Sequence, residues 1–125
     1  MATQHEPVIL LVGQPGWMRN ALHSLLNAMP GSPTVHTADA SLLALKSLDE
    51  VAPDLVLVGA GLPDAEVVEL VSQVKQLRPR LACVVLTDSI ECQQAVQQAG
   101  ADYSLPGNLP GEQVFEVIQQ ALAGA

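Results

Sequence analysis

The sequence is short of rings and of positive charge. It holds one Phe, one Tyr and one Trp in 125 residues, so its interior must be built from Leu, Val, Ile and Ala. Its cations are Arg19, Lys46, Lys75, Arg78 and Arg80, five against thirteen Asp and Glu, for a formal net charge of −8. Such a surface repels a phosphate backbone, so this segment is not expected to bind DNA or RNA by itself. The acidity suits plain solubility, or attraction to a basic partner. Cysteine is scarce too. Cys83 and Cys92 have no metal spacing and are too few for a disulfide framework, which suits a reducing compartment. No apolar run approaches the roughly 18 residues of a membrane span. The opening "MATQHEP" lacks a basic-then-apolar signal pattern. These absences predict a cytoplasmic protein without membrane contact.

What is present is apolar punctuation. Apolar residues make up 49% of the chain and charged ones 14%, enough to bury a core and unlike a disordered chain. "PVILLVG" (7–13) reads as a strand covered on both faces. "WMRNALHSLLNAM" (17–29) places Met18, Leu22, Leu25, Leu26 and Met29 on one helical face, stopped by Pro30, Gly31 and Pro33. A weaker strand (33–38) follows, then a helix with Leu42, Leu45 and Leu48 at helical spacing. "DLVLVGA" (54–60) is the third strand. The next helix carries Val67, Leu70, Val71, Val74 and Leu77, with Asp64 placed to cap it. "RLACVVLT" (80–87) is the fourth strand, and "DSIE" (88–91) resembles a capping box for a helix that Gly100 ends. A short strand (101–105) precedes a last helix marked by Val114, Val117, Ile118, Ala121 and Leu122.

Five strand–helix repeats predict one α/β domain over residues 1–125. The alternation implies a doubly wound (βα)5 parallel sheet; if its strand order is 2-1-3-4-5, as in the flavodoxin-like arrangement, the first and third strands flank the switch in order. The small residues at 123–125 are read as the start of a linker. In such a sheet, ligands bind beyond the carboxyl ends of the strands, at the switch in strand order. Those ends are Gly13 and Gln14, Gly59 and Ala60, Thr87 and Asp88, and the stretch from Leu105 to Asn108. The expected lining is Gly13, Gln14, Gly59, Ala60 and Thr87, without carboxylate, cysteine, histidine or lysine apart from Asp88 at the edge. A general base or nucleophile needs a titratable group, and a hard cation needs carboxylate oxygens. Asp64 and Asp88 are read as helix caps, and Asp54 as lying at the opposite end of the sheet. His5, His23 and His36 do not converge on the pocket.

"VILLVGQPGWMRNALHSLL", "APDLVLVGAGLPD", "LACVVLTDS" and "QQAGADYSL" resemble the successive signatures of response-regulator receiver domains, especially those that precede a helix-turn-helix DNA-binding domain. The resemblance covers nearly the whole chain. It implies an acid pair that holds magnesium at Gly13 and Gln14, and a phosphoacceptor aspartate at Gly59. It also implies a hydroxyl at Thr87, which is retained, a lysine near Gly107, and an aromatic switch near Ser104, with Tyr103 one residue away. No acidic residue lies between Pro7 and Ala38 or between Leu55 and Pro63, and no lysine follows Lys75. No small shift of register restores the missing groups. The expected protein is thus a pseudo-receiver that is not an enzyme and binds no magnesium.

Three functions remain open on the sequence. The first is a phosphorylation-independent interaction module of a transcriptional regulator, working through a protein partner or as a homodimer. Its candidate interface lies on the last helix: Gln113, Glu116, Gln119 and Gln120, with Phe115 off the core stripe. The second is a small-ligand or anion sensor using the loop Gln14, Gly16 and Trp17, where a glycine-bearing turn enters a helix. The third is an active phosphoacceptor that substitutes Asp64 or Asp88.

Overall fold

The computed structural model describes residues 6–31, 33–59, 61–107 and 110–123. Among these, strands and helices alternate. They are β1 (Val8–Val12), α1 (Trp17–Asn27), β2 (Thr34–Ala38), α2 (Ser41–Val51), β3 (Leu55–Val58), α3 (Asp64–Leu77), β4 (Ala82–Leu86), α4 (Ile90–Ala99), β5 (Tyr103–Leu105) and α5 (Gly111–Ala123). The strands pair in parallel, as the alternation predicts, and in the expected order β2-β1-β3-β4-β5.

β1, β3 and β4 are apolar throughout because helices cover both faces of the sheet. Their side chains divide by the two-residue period of a strand. Ile9, Leu11, Leu55, Leu57, Val84 and Leu86 face one cluster, closed by Leu26 of α1 and by Val114 and Ile118 of α5. Leu10, Val12, Val56, Val58, Cys83 and Val85 face the other, closed by α2, α3 and α4 through Ala44, Leu48, Leu70, Val71, Val74 and Val96. Each fully buried aliphatic side chain contributes about 1.5–3 kcal/mol, so aliphatics alone suffice where rings are missing. The edge strand β2 exposes Thr34, His36 and Thr37. Among the described residues no helix is long and apolar enough to cross a membrane.

Several expectations need correction. Leu42 is exposed, because the buried positions of α2 are Ala44 and Leu48. At about 100° per residue Leu42 lies roughly 160° round from Ala44. Leu77, the last residue of α3, is also exposed, past the stretch that covers the sheet. Asp64 does not cap α3. Pro63 is the N-cap residue and makes no side-chain cap bond, so Asp64 and Glu66 sit in the first turn, where the helix dipole favours them. Asp88 does not cap α4 either. Ser89 does, its Oγ accepting from the Cys92 N–H at 3.1 Å. Phe115 is half-buried and packs on the cluster beneath α1 and α5. Ala123 belongs to α5, so helix persists where a linker was expected; residues 124 and 125 lie outside the described residues.

Candidate functional site

β1 sits between β2 and β3, so the chain leaves it first to one side and later to the other. The loops part at that point, and helices α1, α3 and α4 all begin at this end of the sheet. A cavity of about 200 Å3 opens here. Gly59, Thr87 and Gly107 line it together with Leu22, Asp64 and Cys92.

Gly59 ends β3, is buried, and donates its N–H to the Val12 carbonyl at 2.8 Å. A Cβ placed on it would stand 3.0 Å from Leu22 Cδ1. Leu22 therefore reaches from α1 across the position where a β3 side chain would start. Gly13 is buried and does not line the cavity; its N–H bonds the Ala38 carbonyl at 3.0 Å. Gln14 is exposed and covers Gly61 instead: a Cβ there would meet Gln14 Cβ at 3.2 Å. Gly61 has φ +103, a left-handed backbone that favours glycine. Ala60 and Asn108 lie outside the described residues.

Thr87 Oγ1 accepts from the Ser89 N–H at 3.2 Å. Asp88, freed from capping, accepts from the Gly107 N–H at 2.9 Å and ties the loop after β4 to the loop after β5. Asp88 lines the cavity, as expected at its edge, but the expectation of no other carboxylate and no cysteine is corrected here, since Asp64 and Cys92 line it too. The first turns of α3 and α4 carry Asp64 and Cys92 there and the loop before α4 carries Asp88, a placement the strand–helix order alone could have suggested. Burial pushes the Cys92 thiol up; the Thr87 hydroxyl opposes this and the Asp64 charge adds to it. Among the described residues no three His, Cys, Asp or Glu gather as metal ligands would.

Arg19 is a neighbour that sequence reading missed. Its guanidinium pairs with Asp39 and lies 3.4 Å from the Gly13 carbonyl. The first turn of α1 presents it to the end of β1. The loop residues Gln14, Gly16 and Trp17 are all exposed. Gly16 has an extended φ of 161 that any residue could adopt. Ser104 points to α4, its Oγ accepting from Gln97 Nε2 at 3.0 Å. Tyr103, one residue earlier, packs on the opposite face, because neighbouring strand residues alternate sides. Gln119 is exposed at the far end of α5, away from this cavity. His23 is half-buried on α1 and His36 exposed on β2; neither lines the cavity, and His5 lies outside the described residues.

Comparison with known proteins gives the family. The protein-glutamate methylesterase/protein-glutamine glutaminase of Treponema denticola is 27% identical over 79 residues, 63% of this chain and 21% of that protein's length. The chain thus spans about a fifth of that relative. A CheY-like response regulator receiver domain protein of Methanospirillum hungatei superposes with a TM-score of 0.84 at 23% identity, over 96% of each chain. The signal receiver domain of an HD domain-containing protein from Pseudomonas fluorescens gives 0.85 at 24% identity, over 96% of this chain and 97% of that one. A LuxR-family two-component response regulator from Aurantimonas gives 0.85 at 21%, over 96% and 87%. At these identities the solved structures share the fold. The sequence model of the response regulator receiver domain matches residues 9–119, from the first strand into the last helix, and the chain belongs to that family of two-component signalling domains.

Proposed function

We propose that this receiver domain has given up phosphorylation and works as a protein–protein interaction module, through a protein partner or a second copy of itself, in a transcriptional regulator of the cytoplasm. The observation that carries this reading is the closure at Gly59. The resemblance puts the acceptor there, yet glycine offers no nucleophile, and Leu22 Cδ1 would lie 3.0 Å from any added Cβ. Phosphoryl transfer runs on positioning and on charge supplied by metal and cation. Gly13 and Gln14, at the places of the acid pair, supply none.

Magnesium does not fit this donor set. A hard cation takes several oxygen ligands, carboxylates first. Asp88 already serves the Gly107 N–H, and the Arg19 cation stands against the Gly13 carbonyl. A pocket without the acid pair and acceptor has less mutual repulsion to offset, so it can keep one conformation without metal. The same features speak against Asp64 or Asp88 as substitute acceptors. The domain is then a scaffold rather than an enzyme.

The rim favours contact with protein. Trp17, Leu42, Leu43 and Ile90 are exposed in the first turns of α1, α2 and α4, around this same end of the sheet. Exposed large apolar side chains at the rim of this cleft suit a dry interface. A net charge of −8 leaves any DNA contact to a separate domain. Incubation with acetyl phosphate and magnesium, read by intact mass, is expected to leave the mass unchanged. A gain of one phosphoryl group, labile to base, refutes the reading. Sedimentation across a concentration series then separates a second copy from a different partner.

A further inference from the structure

A hollow larger than this cavity lies at the other end of the sheet. A groove of about 630 Å3 runs beneath the amino ends of the strands, within the range of small-molecule sites. Its floor is the underside of the core, through the buried Met29, Leu48 and Leu81. Pro7, Pro30 and Pro53 form walls; proline fixes its own φ, so these walls are set before any ligand arrives. Leu122 and Ala123, at the end of α5, close one side.

Two further observations mark this groove. The first is charge: Arg78 and Arg80, two of only five cations in a chain of net charge −8, line it. Arg78 pairs with Asp49 in an exposed bridge, which is weak in water. Arg80 has no ion pair among the described residues. Asp54 also lines the groove, and its Oδ2 accepts from the Val8 N–H at 2.8 Å. The second is strain: Ala52, another lining residue, sits in the left-handed region with φ 49 and ψ 60 as the C-cap of α2. Among the described residues it is the one non-glycine with positive φ. Glycine is the usual solution at a left-handed helix end. A side chain kept there against its preference is a feature that clusters at binding sites.

We propose that this groove binds a small amphipathic anion, its apolar body against the leucine and proline walls and its carboxylate or sulfonate at Arg80 and Arg78. This site is separate from the interaction reading above and does not depend on it. The ligand would touch the last turn of α5, through Gln119, Leu122 and Ala123.

The test uses two probes, 8-anilinonaphthalene-1-sulfonate by fluorescence and decanoate as its competitor, with amide shifts mapped by NMR. Expected is saturable binding of the sulfonate, displaced by decanoate, by a protein that still unfolds cooperatively in urea. The shifts should fall on Ala52, Leu81, Gln119 and Ala123 and spare Gly59 and Thr87. Arg80→Ala should weaken binding by more than about threefold, and Arg80→Lys should restore most of it. Gln119→Trp, at an exposed position that does not threaten the fold, should block the groove. Absence of saturable binding, shifts centred on Gly59 and Thr87, or Arg80→Ala and Gln119→Trp both within threefold of the native affinity would overturn the proposal.

Discussion

Putting a side chain at residue 59 tests how firmly the end of β3 is closed. In Gly59→Ala the new Cβ falls 3.0 Å from Leu22 Cδ1, 3.7 Å from the Val12 oxygen and 3.9 Å from Leu11 Cδ1. Carbon atoms rest best at about 3.5–4.0 Å, so Leu22 must retreat while the other two contacts are ordinary. Leu22 packs on the cluster under α1 and α5, and pushing it costs about 1–3 kcal/mol, as overpacking does. Alanine returns about 0.4–1 kcal/mol by stiffening the unfolded chain. The net expectation is a loss of about 1 kcal/mol.

Gly59→Asp adds a carboxylate at a buried position, in a cavity that already holds Asp64 and Asp88. An unpaired polar group there costs at least a further ~1–3 kcal/mol, so the total is about 3 kcal/mol. The double variant Gly59→Ala/Leu22→Ala removes the clash, so its cost should fall short of the sum of the singles by about 1 kcal/mol. Urea denaturation followed by far-UV circular dichroism measures these three variants and Leu22→Ala alone. If Gly59→Ala is as stable as the native chain, or the singles simply add, then Leu22 does not close the site and the reasoning fails. Gly59→Asp should also stay unphosphorylated, because it restores neither the acid pair nor the lysine.

Gly111→Ala should lower the melting temperature although alanine is the better helix former by about 1 kcal/mol. Its Cβ would lie 2.7 Å from Leu25 Cδ1, so Leu25, packed on the cluster beneath α1 and α5, must shift from its place; a higher melting temperature contradicts this. Asp102 Oδ2 accepts from the Cys83 N–H at 2.8 Å and from Lys75 Nζ at 3.0 Å. Asp102→Ala should cost about 1–3 kcal/mol in urea by stranding that N–H, and Asp102→Asn, which keeps an acceptor, clearly less; equal losses would refute the tie. Burial pushes the Cys83 thiol up from 9.0 to about 12. Unfolding releases its proton first, so the stability it contributes is complete below pH 9 and declines towards pH 12, by up to ~1.4 kcal/mol per pH unit. The urea midpoint of the native chain should therefore fall more steeply than that of Cys83→Ala across this window; a constant difference between them would be the contrary result.

The sequence by itself determined the strands, the helices and their order, because period and punctuation are local. A run such as Val8–Val12 or Ala82–Leu86 announces a strand covered on both faces whatever it pairs with. It also determined that no acid lies between Pro7 and Ala38 or between Leu55 and Pro63 and that no lysine follows Lys75, the absences on which the proposal of lost phosphorylation rests. Only the tertiary structure decided what stands at those strand ends. Leu22 meets Gly59, Asp88 meets Gly107, and Asp64 and Cys92 enter one cavity. Arg78 and Arg80 come to flank a groove closed by the end of α5. These partners lie far apart along the chain, and crossovers of the sheet bring them together. No local pattern records such a meeting, because the packing of whole elements sets the distance between two side chains on different ones.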